Sequence, residues 1–385
     1  MKILKYTAKT AFFIGLFHSI VTFPLSANSQ EIERKRVREY GINIGVLPTG
    51  ALNSITDVKG VKVGHKTLME GENVRTGVTA ILPHDGNLFQ KKVAAAIYTG
   101  NGFGKLAGST QVQELGNIES PIILTNTLNV AEGLIGVIEH TLSQEGNEKV
   151  KSVNALVGET NDGTLNDIRG RHVTKEDVLE AIQNAHSGAV EEGNVGAGTG
   201  TVAFGFKGGI GTASRKLPES LGGYTVGVLV QSNFGGVLEV NGLPVGKHLQ
   251  KFSFSNELLN NVDGSIMIIV ATDAPLDARN LERLAKRAFV GIGKTGGIIS
   301  NGSGDYVIAF STHESQIAPH QSQEKTQNIE QLRNDEMSPL FMAAIESTEE
   351  AIINSLFKAE TLTGAGNSRI EALPIEAVLE LLNKR

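Results

Sequence analysis

The chain of 385 residues contains no cysteine. This absence excludes disulfides, thiolate-bound metal sites and a lipid anchor attached to an N-terminal cysteine. The nine histidines are scattered, with no HExxH pattern and no cluster at ligand spacing, so no metal or other cofactor is expected. A net charge of −6 argues against a surface that binds nucleic acid. No internal repeat and no low-complexity tract interrupts the chain.

What the sequence does contain is typical of a globular protein. Hydrophobic residues make up 40% and charged residues 20%, and the length allows one large domain or two ordinary ones. The 45 glycines indicate many tight turns and close backbone approaches, which are common where loops build a site.

The first 29 residues resemble a secretory signal peptide. Three lysines precede an apolar stretch from Ala11 to Leu25, and small residues follow at Ala27 and Ser29. The apolar stretch is too short to span a bilayer, so we expect cleavage rather than a membrane anchor. The sequence therefore predicts a periplasmic or secreted protein whose mature part begins at residue 30.

Local patterns predict an α+β or layered α/β protein, because strands pair locally while helices gather in blocks. The predicted strands are Val78–Leu82, Val93–Thr99, Pro121–Thr127, Val153–Val157, Tyr224–Gln231 and Val307–Phe310, with a hairpin over Ile55–Val63. The predicted helices are Asn129–Leu142, Thr174–Ala185, Asp277–Val290, Ser338–Lys358 and Pro374–Asn383.

Two glycine patterns invite a nucleotide-binding interpretation, which their context excludes. Gly196–Gly200 follows a helix and loop rather than a strand, and its third glycine falls one place early for GxGxxG. Ala288–Thr295 nearly matches a phosphate loop but leads from a helix into more glycines. Both are predicted to be turns.

The stretch Asn260–Asp277 is the centre of the functional hypothesis. A polar, turn-prone run ends at Gly264, and an unbroken apolar run from Ile266 to Ala271 predicts a buried strand that begins at Ser265. Cleavage of the Gly264–Ser265 bond would make Ser265 a new N-terminus whose free amine can act as base for its own hydroxyl. A Gly-Ser pair alone is more often simply the start of a strand.

Other polar residues are predicted to lie at strand ends. Ser303 and Asp305 belong to a tight loop before the Val307 strand, Asn233 follows the Tyr224 strand, and Glu159 follows the Val153 strand. Each alone is explained by turn chemistry. Together they could supply a hydroxyl beside a carboxylate, an amide donor to an oxyanion, and a site for a cation.

A set of ordered sequence blocks extends from about Arg36 to the C-terminus. The blocks are Ile55–Val58, Gly60–His65, Gly77–Pro83, Gly158–Asp162, Leu165–Asp167, Lys207–Arg215, Val230–Gly235, Gly264–Ser265 and Asn301–Asp305. In these blocks the sequence resembles the L-aminopeptidase/D-esterase and β-aminopeptidase family of self-processing serine peptidases.

The resemblance implies an αββα sandwich of the kind found in N-terminal nucleophile hydrolases and ornithine acetyltransferases. It also implies a single catalytic domain over residues 30–385 that cleaves itself into chains 30–264 and 265–385. The two chains stay together as a heterodimer, and members of the family usually assemble into homo-oligomers.

The same resemblance implies roles for individual residues. Ser265 is the nucleophile, Asn233 an oxyanion donor, and Ser303 and Asp305 orient and polarise Ser265. Glu159 holds the free amino group of the substrate. Two positions depart from some members of the family, which have glutamate where Asp305 stands and an aromatic residue where Asn161 stands, so Asn161 is a position that affects substrate preference.

The expected activity is that of an exported aminopeptidase acting on short peptides, amides or esters through an acyl-enzyme on Ser265. Two alternatives are an acyltransferase of the ornithine acetyltransferase type, disfavoured because those enzymes use threonine, and a periplasmic binding protein without chemistry. The latter would remain a single intact chain after removal of its leader.

Overall fold

A computed structural model describes residues 34–254 and 264–384, which belong to one compact unit. The predicted signal peptide (1–29) and the turn-prone residues 260–263 lie outside the described residues. Within the described ranges no helix is both long enough and apolar enough to cross a membrane.

The strands, in chain order, are β1 Lys62–Glu70, β2 Val74–Leu82, β3 Lys91–Gly102, β4 Leu106–Ala107, β5 Asn117–Ile118, β6 Ile122–Asn126, β7 Leu156–Thr160, β8 Val202–Ala203, β9 Phe206–Lys207, β10 Gly209–Lys216, β11 Thr225–Asn233, β12 Ser265–Thr272, β13 Gly304–Ser311, β14 Ala318–Pro319, β15 Leu362–Thr363 and β16 Arg369–Ile370. The helices are α1 Ser109–Leu115, α2 Val130–Ser143, α3 Lys175–Gln183, α4 Val245–His248, α5 Ala278–Ala288, α6 Val290–Lys294, α7 Ser338–Phe357 and α8 Ile375–Asn383.

Two sheets form the middle of the molecule. The five-stranded sheet has the order β1-β2-β6-β7-β4, with β6 and β7 parallel and the other pairs antiparallel. The seven-stranded sheet has the order β10-β11-β12-β13-β3-β14, and β5 pairs with β3 beside that path. Its only parallel pair among the described strands is β12 with β13.

Three hydrophobic clusters separate four layers. One lies between the sheets and includes Leu124 and Met267. A second lies beneath α2 and α3 on the outer face of the five-stranded sheet, and a third packs α5, α6 and α7 against the outer face of the seven-stranded sheet. This order of helix, sheet, sheet and helix layers is the αββα sandwich, so the predicted fold class is confirmed.

Strand β12 lies in the interior of its sheet and is buried along its whole length. Alternation splits its side chains between two cores: Met267 and Ile269 face the other sheet, whereas Ile266 and Ile268 face the helices. An apolar residue at every position is what a strand covered on both faces requires. The predicted buried strand beginning at Ser265 is confirmed.

The long helix α7 carries charged residues into the core. Arg215 on β10 is fully buried, and its guanidinium pairs with Glu346 at 2.9 Å and Glu350 at 2.7 Å on α7. Removing one partner of such a buried pair typically costs about 3–5 kcal/mol of unfolding free energy, because the other charge is left uncompensated. The network therefore fixes α7 against the seven-stranded sheet.

Three local predictions were wrong in detail. The hairpin predicted over Ile55–Val63 is a 3₁₀ turn at Ile55–Asp57 followed by β1, because the Ser54 and Asp57 side chains cap that turn. The strand predicted at Val153–Val157 is shifted to Leu156–Thr160, where it pairs with β6. The glycines at 290–294 form the short helix α6 rather than a turn, whereas Gly196–Gly198 does form a 3₁₀ turn.

Candidate active site

Ser265 is the first residue of β12 and is only 5% exposed. It pairs in register with Asn233, the last residue of β11, on one side and with Gly304, the first residue of β13, on the other. Asn233, Ser265 and Gly304 therefore lie side by side across three neighbouring strands, where β11 ends and β12 and β13 begin. The structure places the predicted nucleophile and the predicted oxyanion donor directly opposite each other.

The carbonyl group of Gly264, which precedes Ser265, is polarised from two sides. The Ser265 hydroxyl donates to the Gly264 carbonyl oxygen at 2.5 Å, and the Gly304 backbone N–H donates to the same oxygen at 3.2 Å. A Cβ added to Gly264 would lie 2.8 Å from the Cα of Phe234, so the position accommodates only glycine without a shift of backbone. The Gly304 donor was not predicted, because a backbone amide leaves no signal in the side-chain sequence.

Asn233 is oriented by a contact that sequence reasoning also missed. Its amide oxygen accepts from the Val202 backbone N–H at 2.9 Å, which assigns the other half of the amide as the NH₂ donor. Asn233 lines the same cavity as Ser265. The amide oxygen of Asn233 is therefore occupied by Val202, and its NH₂ group is available to donate to a developing oxyanion.

The hairpin β8–β9 that carries Val202 turns at a strained residue. Phe204 has φ of 54°, an uncommon conformation for a bulky side chain, and Gly205 follows with φ of 75°. The Phe204 ring packs against that of Phe234 with a centroid distance of 4.9 Å, and the Phe204 N–H donates to the Phe234 carbonyl at 2.7 Å. Such strain persists where surrounding contacts enforce it, commonly beside functional groups.

Ser303 and Asp305 form a buried pair at the start of β13. The Ser303 hydroxyl donates to Asp305 Oδ1 at 2.6 Å, whereas Oδ2 is buried without a hydrogen-bond partner. Burial raises the pKa of Asp305 to about 6, against the opposing effects of hydrogen bonds from Ser303 and from the Ile266 backbone. Asp305 pairs in register with Ile266, so its carboxyl lies beside the backbone that leads from the Ser265 amide.

Glu159 comes from the other sheet. It lies inside β7 rather than after it, opposite Thr125 of β6, and is only 3% exposed. Oε1 accepts from the Lys105 backbone N–H at 3.0 Å, and Oε2 accepts a short hydrogen bond from the Thr127 hydroxyl. These contacts hold the carboxylate rigidly in the wall of the cavity.

Asn161 follows β7 and is exposed. Its side-chain oxygen accepts from the Gly163 backbone N–H at 2.9 Å, a typical Asx turn, so the amide shapes its own loop. It still lines the cavity.

One cavity of about 880 Å³ joins these groups. Ser265, Asn233, Glu159 and Asn161 all line it, whereas Ser303 and Asp305 do not, although the neighbouring Gly302 does. Its apolar lining is dominated by five phenylalanines, which are Phe103, Phe204, Phe234, Phe252 and Phe254. The described residues contain no group of three or more potential ligands close enough to hold a metal. This arrangement can attack a carbonyl, stabilise an oxyanion and hold a cation.

Comparison with known proteins gives a consistent result. The model of peptidase family S58 matches residues 53–370. The chain is 41% identical to the β-peptidyl aminopeptidase BapA of Sphingosinicella microcystinivorans, over 96% of this chain and 97% of that one. Two solved structures superpose over 91% of this chain. The PH0078 protein of Pyrococcus horikoshii has a TM-score of 0.84, 48% identity and 99% of its own length covered.

The second structure is the L-aminopeptidase D-Ala-esterase/amidase of Ochrobactrum anthropi, with a TM-score of 0.83, 36% identity and 98% of its length covered. It is described as a prototype of the serine aminopeptidases and a new variant of the N-terminal nucleophile hydrolase fold. The predictions of a serine aminopeptidase and of its family are confirmed, which sets aside the binding-protein alternative. The chain belongs to peptidase family S58.

Proposed function

We propose that this protein is an exported, self-processing aminopeptidase that removes N-terminal residues, β-amino acids among them, from short peptides and amides. The observation that carries the proposal is the position of Ser265 between Asn233 and Gly304, facing a cavity that also contains Glu159. The β-peptidyl aminopeptidase name of the relative with 41% identity supports the substrate class.

Self-cleavage begins with attack of the Ser265 hydroxyl on the Gly264 carbonyl carbon. The C–N bond breaks, the ester of Gly264 forms on Oγ, and the nitrogen leaves as the new α-amine of Ser265. Water then hydrolyses the ester. The Gly304 N–H, already bound to the Gly264 oxygen at 3.2 Å, is placed to stabilise the negative charge that develops there.

Substrate hydrolysis repeats this chemistry on an incoming carbonyl. Ser265 forms an acyl-enzyme while its own α-amine, oriented by Ser303 and Asp305, accepts the hydroxyl proton and passes it to the leaving amine. The Asn233 NH₂ group donates to the oxyanion. Glu159 pairs with the free ammonium of the substrate, since an unpaired cation in this cavity is costly.

A denaturing gel of the purified protein tests the proposal. We expect two fragments, corresponding to Gln30–Gly264 and Ser265–Arg385, with serine as the N-terminus of the second. The same N-terminal sequencing tests export, because removal of the predicted signal peptide leaves Gln30 first. Ser265→Ala should remain one chain and be inactive, with an unfolding temperature close to that of the unprocessed protein. Cleavage after Gly264 in that variant would contradict self-processing.

A further inference from the structure

Lys105 makes a contact in the cavity that the proposed mechanism does not use. Its ammonium lies 3.6 Å from Oε1 of Glu159, the oxygen that also accepts the Lys105 backbone N–H. The lysine side chain is 55% exposed and lines the cavity, whereas the Glu159 side chain is 3% exposed. An exposed cation therefore lies beside the buried carboxylate that is proposed to bind the substrate ammonium.

The backbone fixes the position of this lysine. Lys105 directly precedes β4, and Leu106 of β4 pairs with Gly158 of β7, next to Glu159. Gly104 fills the space towards the nucleophile strand: a Cβ added there would lie 3.3 Å from Glu159 Oε1 and 3.1 Å from the Cα of Gly304. Gly304 is the ladder partner of Ser265. Gly104 therefore packs between Glu159 and the strand that pairs with the Ser265 strand.

Charge balance decides what this pair can bind. Among the residues that the structure describes, the charged ones that line the cavity are Glu159, Lys105 and Lys251, and the Lys251 ammonium lies over the Phe206 ring at 4.3 Å from its centroid. A substrate carrying only an ammonium must compete with Lys105 for Glu159. A substrate carrying an ammonium and a carboxylate on one carbon satisfies both side chains, because it presents opposite charges a few ångströms apart.

Building on the proposed function, we propose that Lys105 and Glu159 together recognise a zwitterion and select N-terminal β-aspartyl residues. In an α-linked residue the carbonyl on the ammonium-bearing carbon is the scissile group itself, so no carboxylate remains there. In a β-linked aspartyl residue the α-carboxylate is free and the scissile carbonyl is one methylene away. The α-ammonium binds Glu159, the α-carboxylate binds Lys105, and Ser265 attacks the β-carbonyl.

The reaction is the hydrolysis already described. Ser265 Oγ forms an ester with the β-carbonyl carbon, the amine leaves with a proton, and water cleaves the ester to release aspartate and restore the hydroxyl.

The experiment measures kcat/KM of the processed enzyme on β-L-aspartyl-glycinamide and β-alanyl-glycinamide. Lys105→Met should reduce the ratio of the two values about tenfold, the usual effect of losing a hydrogen bond to a charged group. The β-alanyl amide is the internal reference, because it lacks the carboxylate that Lys105 is proposed to bind. A loss through misfolding would lower both rates together.

Lys294→Met is the matched control. Lys294 is 46% exposed and pairs with the buried Glu349 at 2.7 Å, but it does not line the cavity. It should leave the substrate ratio at the wild-type value.

Further substrates locate the carboxylate that Lys105 recognises. Lys105→Met should not change the ratio of β-alanyl-glycine to β-alanyl-glycinamide, where the added carboxylate lies on the leaving residue, nor the ratio of α-aspartyl to alanyl glycinamide. A change in either ratio, or an unchanged β-aspartyl to β-alanyl ratio, overturns the inference. Hydrolysis of the β-alanyl amide without any of the β-aspartyl amide also overturns it and leaves the proposed function standing. Failure on every unblocked amide contradicts the proposed function itself.

Discussion

On the seven-stranded sheet, Ser265, Asn233 and Gly304 occupy one row of the β-ladder, so hydrogen bonds between strands determine their separation. On the five-stranded sheet, Glu159 is positioned by the Lys105 backbone amide and by the side chains of Lys105 and Thr127. The groups proposed to perform the chemistry are thus spaced by the backbone ladder, whereas the carboxylate of the proposed anchor is held by one backbone amide and two side chains. We infer that substitution around Glu159 alters substrate choice while the reaction is retained.

The largest effect is expected on the backbone-held side, from Asn233. Asn233→Asp keeps the oxygen that accepts from Val202 but removes the NH₂ donor, so the side chain stays in place without its proposed function. We expect turnover to fall about 10²–10³-fold, the usual cost of one oxyanion donor. Steady-state kinetics on an amino-acid amide measure the change.

The control for Asn233 is the self-cleavage reaction followed by gel. Because the Gly304 N–H already serves the Gly264 carbonyl, processing should slow less than turnover. Wild-type turnover in a correctly folded Asn233→Asp protein would remove this residue from the site.

On the five-stranded sheet, Glu159→Gln keeps the shape and removes the charge. We expect a loss of about a hundredfold on free-amine substrates, within the range for disrupting a charge-assisted contact. Processing should continue, since the Gly264–Ser265 bond carries no free amine. If Glu159 merely ties its loop, folding and processing will decline together with activity.

Glu119→Gln is the matched control for Glu159. Glu119 is also buried, 4% exposed, and pairs with Lys92 while accepting from the Asn154 amide, but it does not line the cavity. Equal losses in the two variants would show that burying a glutamine, rather than losing the anchor, causes the effect.

The smallest expected effect is the pH dependence of self-cleavage, which tests the role of Asp305 in the seven-stranded sheet. Burial raises the pKa of Asp305 to about 6, so in the uncut chain the carboxyl is neutral below that pH and ionised above it. If the ionised form assists proton removal from Ser265, the self-cleavage rate should rise about tenfold per pH unit below 6 and level off above it.

A pH jump of precursor purified near pH 4.5, followed by gel, measures this dependence. The hydrogen bond from Ser303 favours the ionised form, so Ser303→Ala should move the inflection to higher pH whatever it does to the plateau rate. The same shift has a stability counterpart: protonation stabilises the fold, and that contribution is lost as pH rises from about 4 to about 6. A pH-independent cleavage rate between pH 4.5 and 7 would contradict a role for Asp305.

The two sheets also differ in how far the sequence could predict them. The apolar run after Ser265 was sufficient to locate β12, because burial on both faces demands an uninterrupted apolar segment. Glu159 was placed in a loop because it is charged and flanked by glycine and polar residues, yet pairing with β6 draws it into the strand. Propensity cannot anticipate that kind of tertiary contact.

The contacts that orient the site residues could not be predicted from the sequence for a different reason. Val202 orients Asn233, and Gly304 serves Gly264, through backbone amides that every non-proline residue possesses. Lys105 meets Glu159 across 54 positions of sequence. Only the assembled ladder, with β4 beside β7, brings such residues together.

The strand order of the seven-stranded sheet has a consequence for what becomes of the molecule after a cut between Gly264 and Ser265. The C-terminal piece would contribute β12 and β13 side by side, flanked by β11 and β3 from the N-terminal piece, and also β14 on the other side of β3. Three ladders between the pieces would have to open before they could part. Strands of the two pieces would therefore alternate within one sheet. The protein would fold as one covalent chain and act as two. After full denaturation the cut protein could refold only if the two pieces met again, so its recovery would depend on protein concentration.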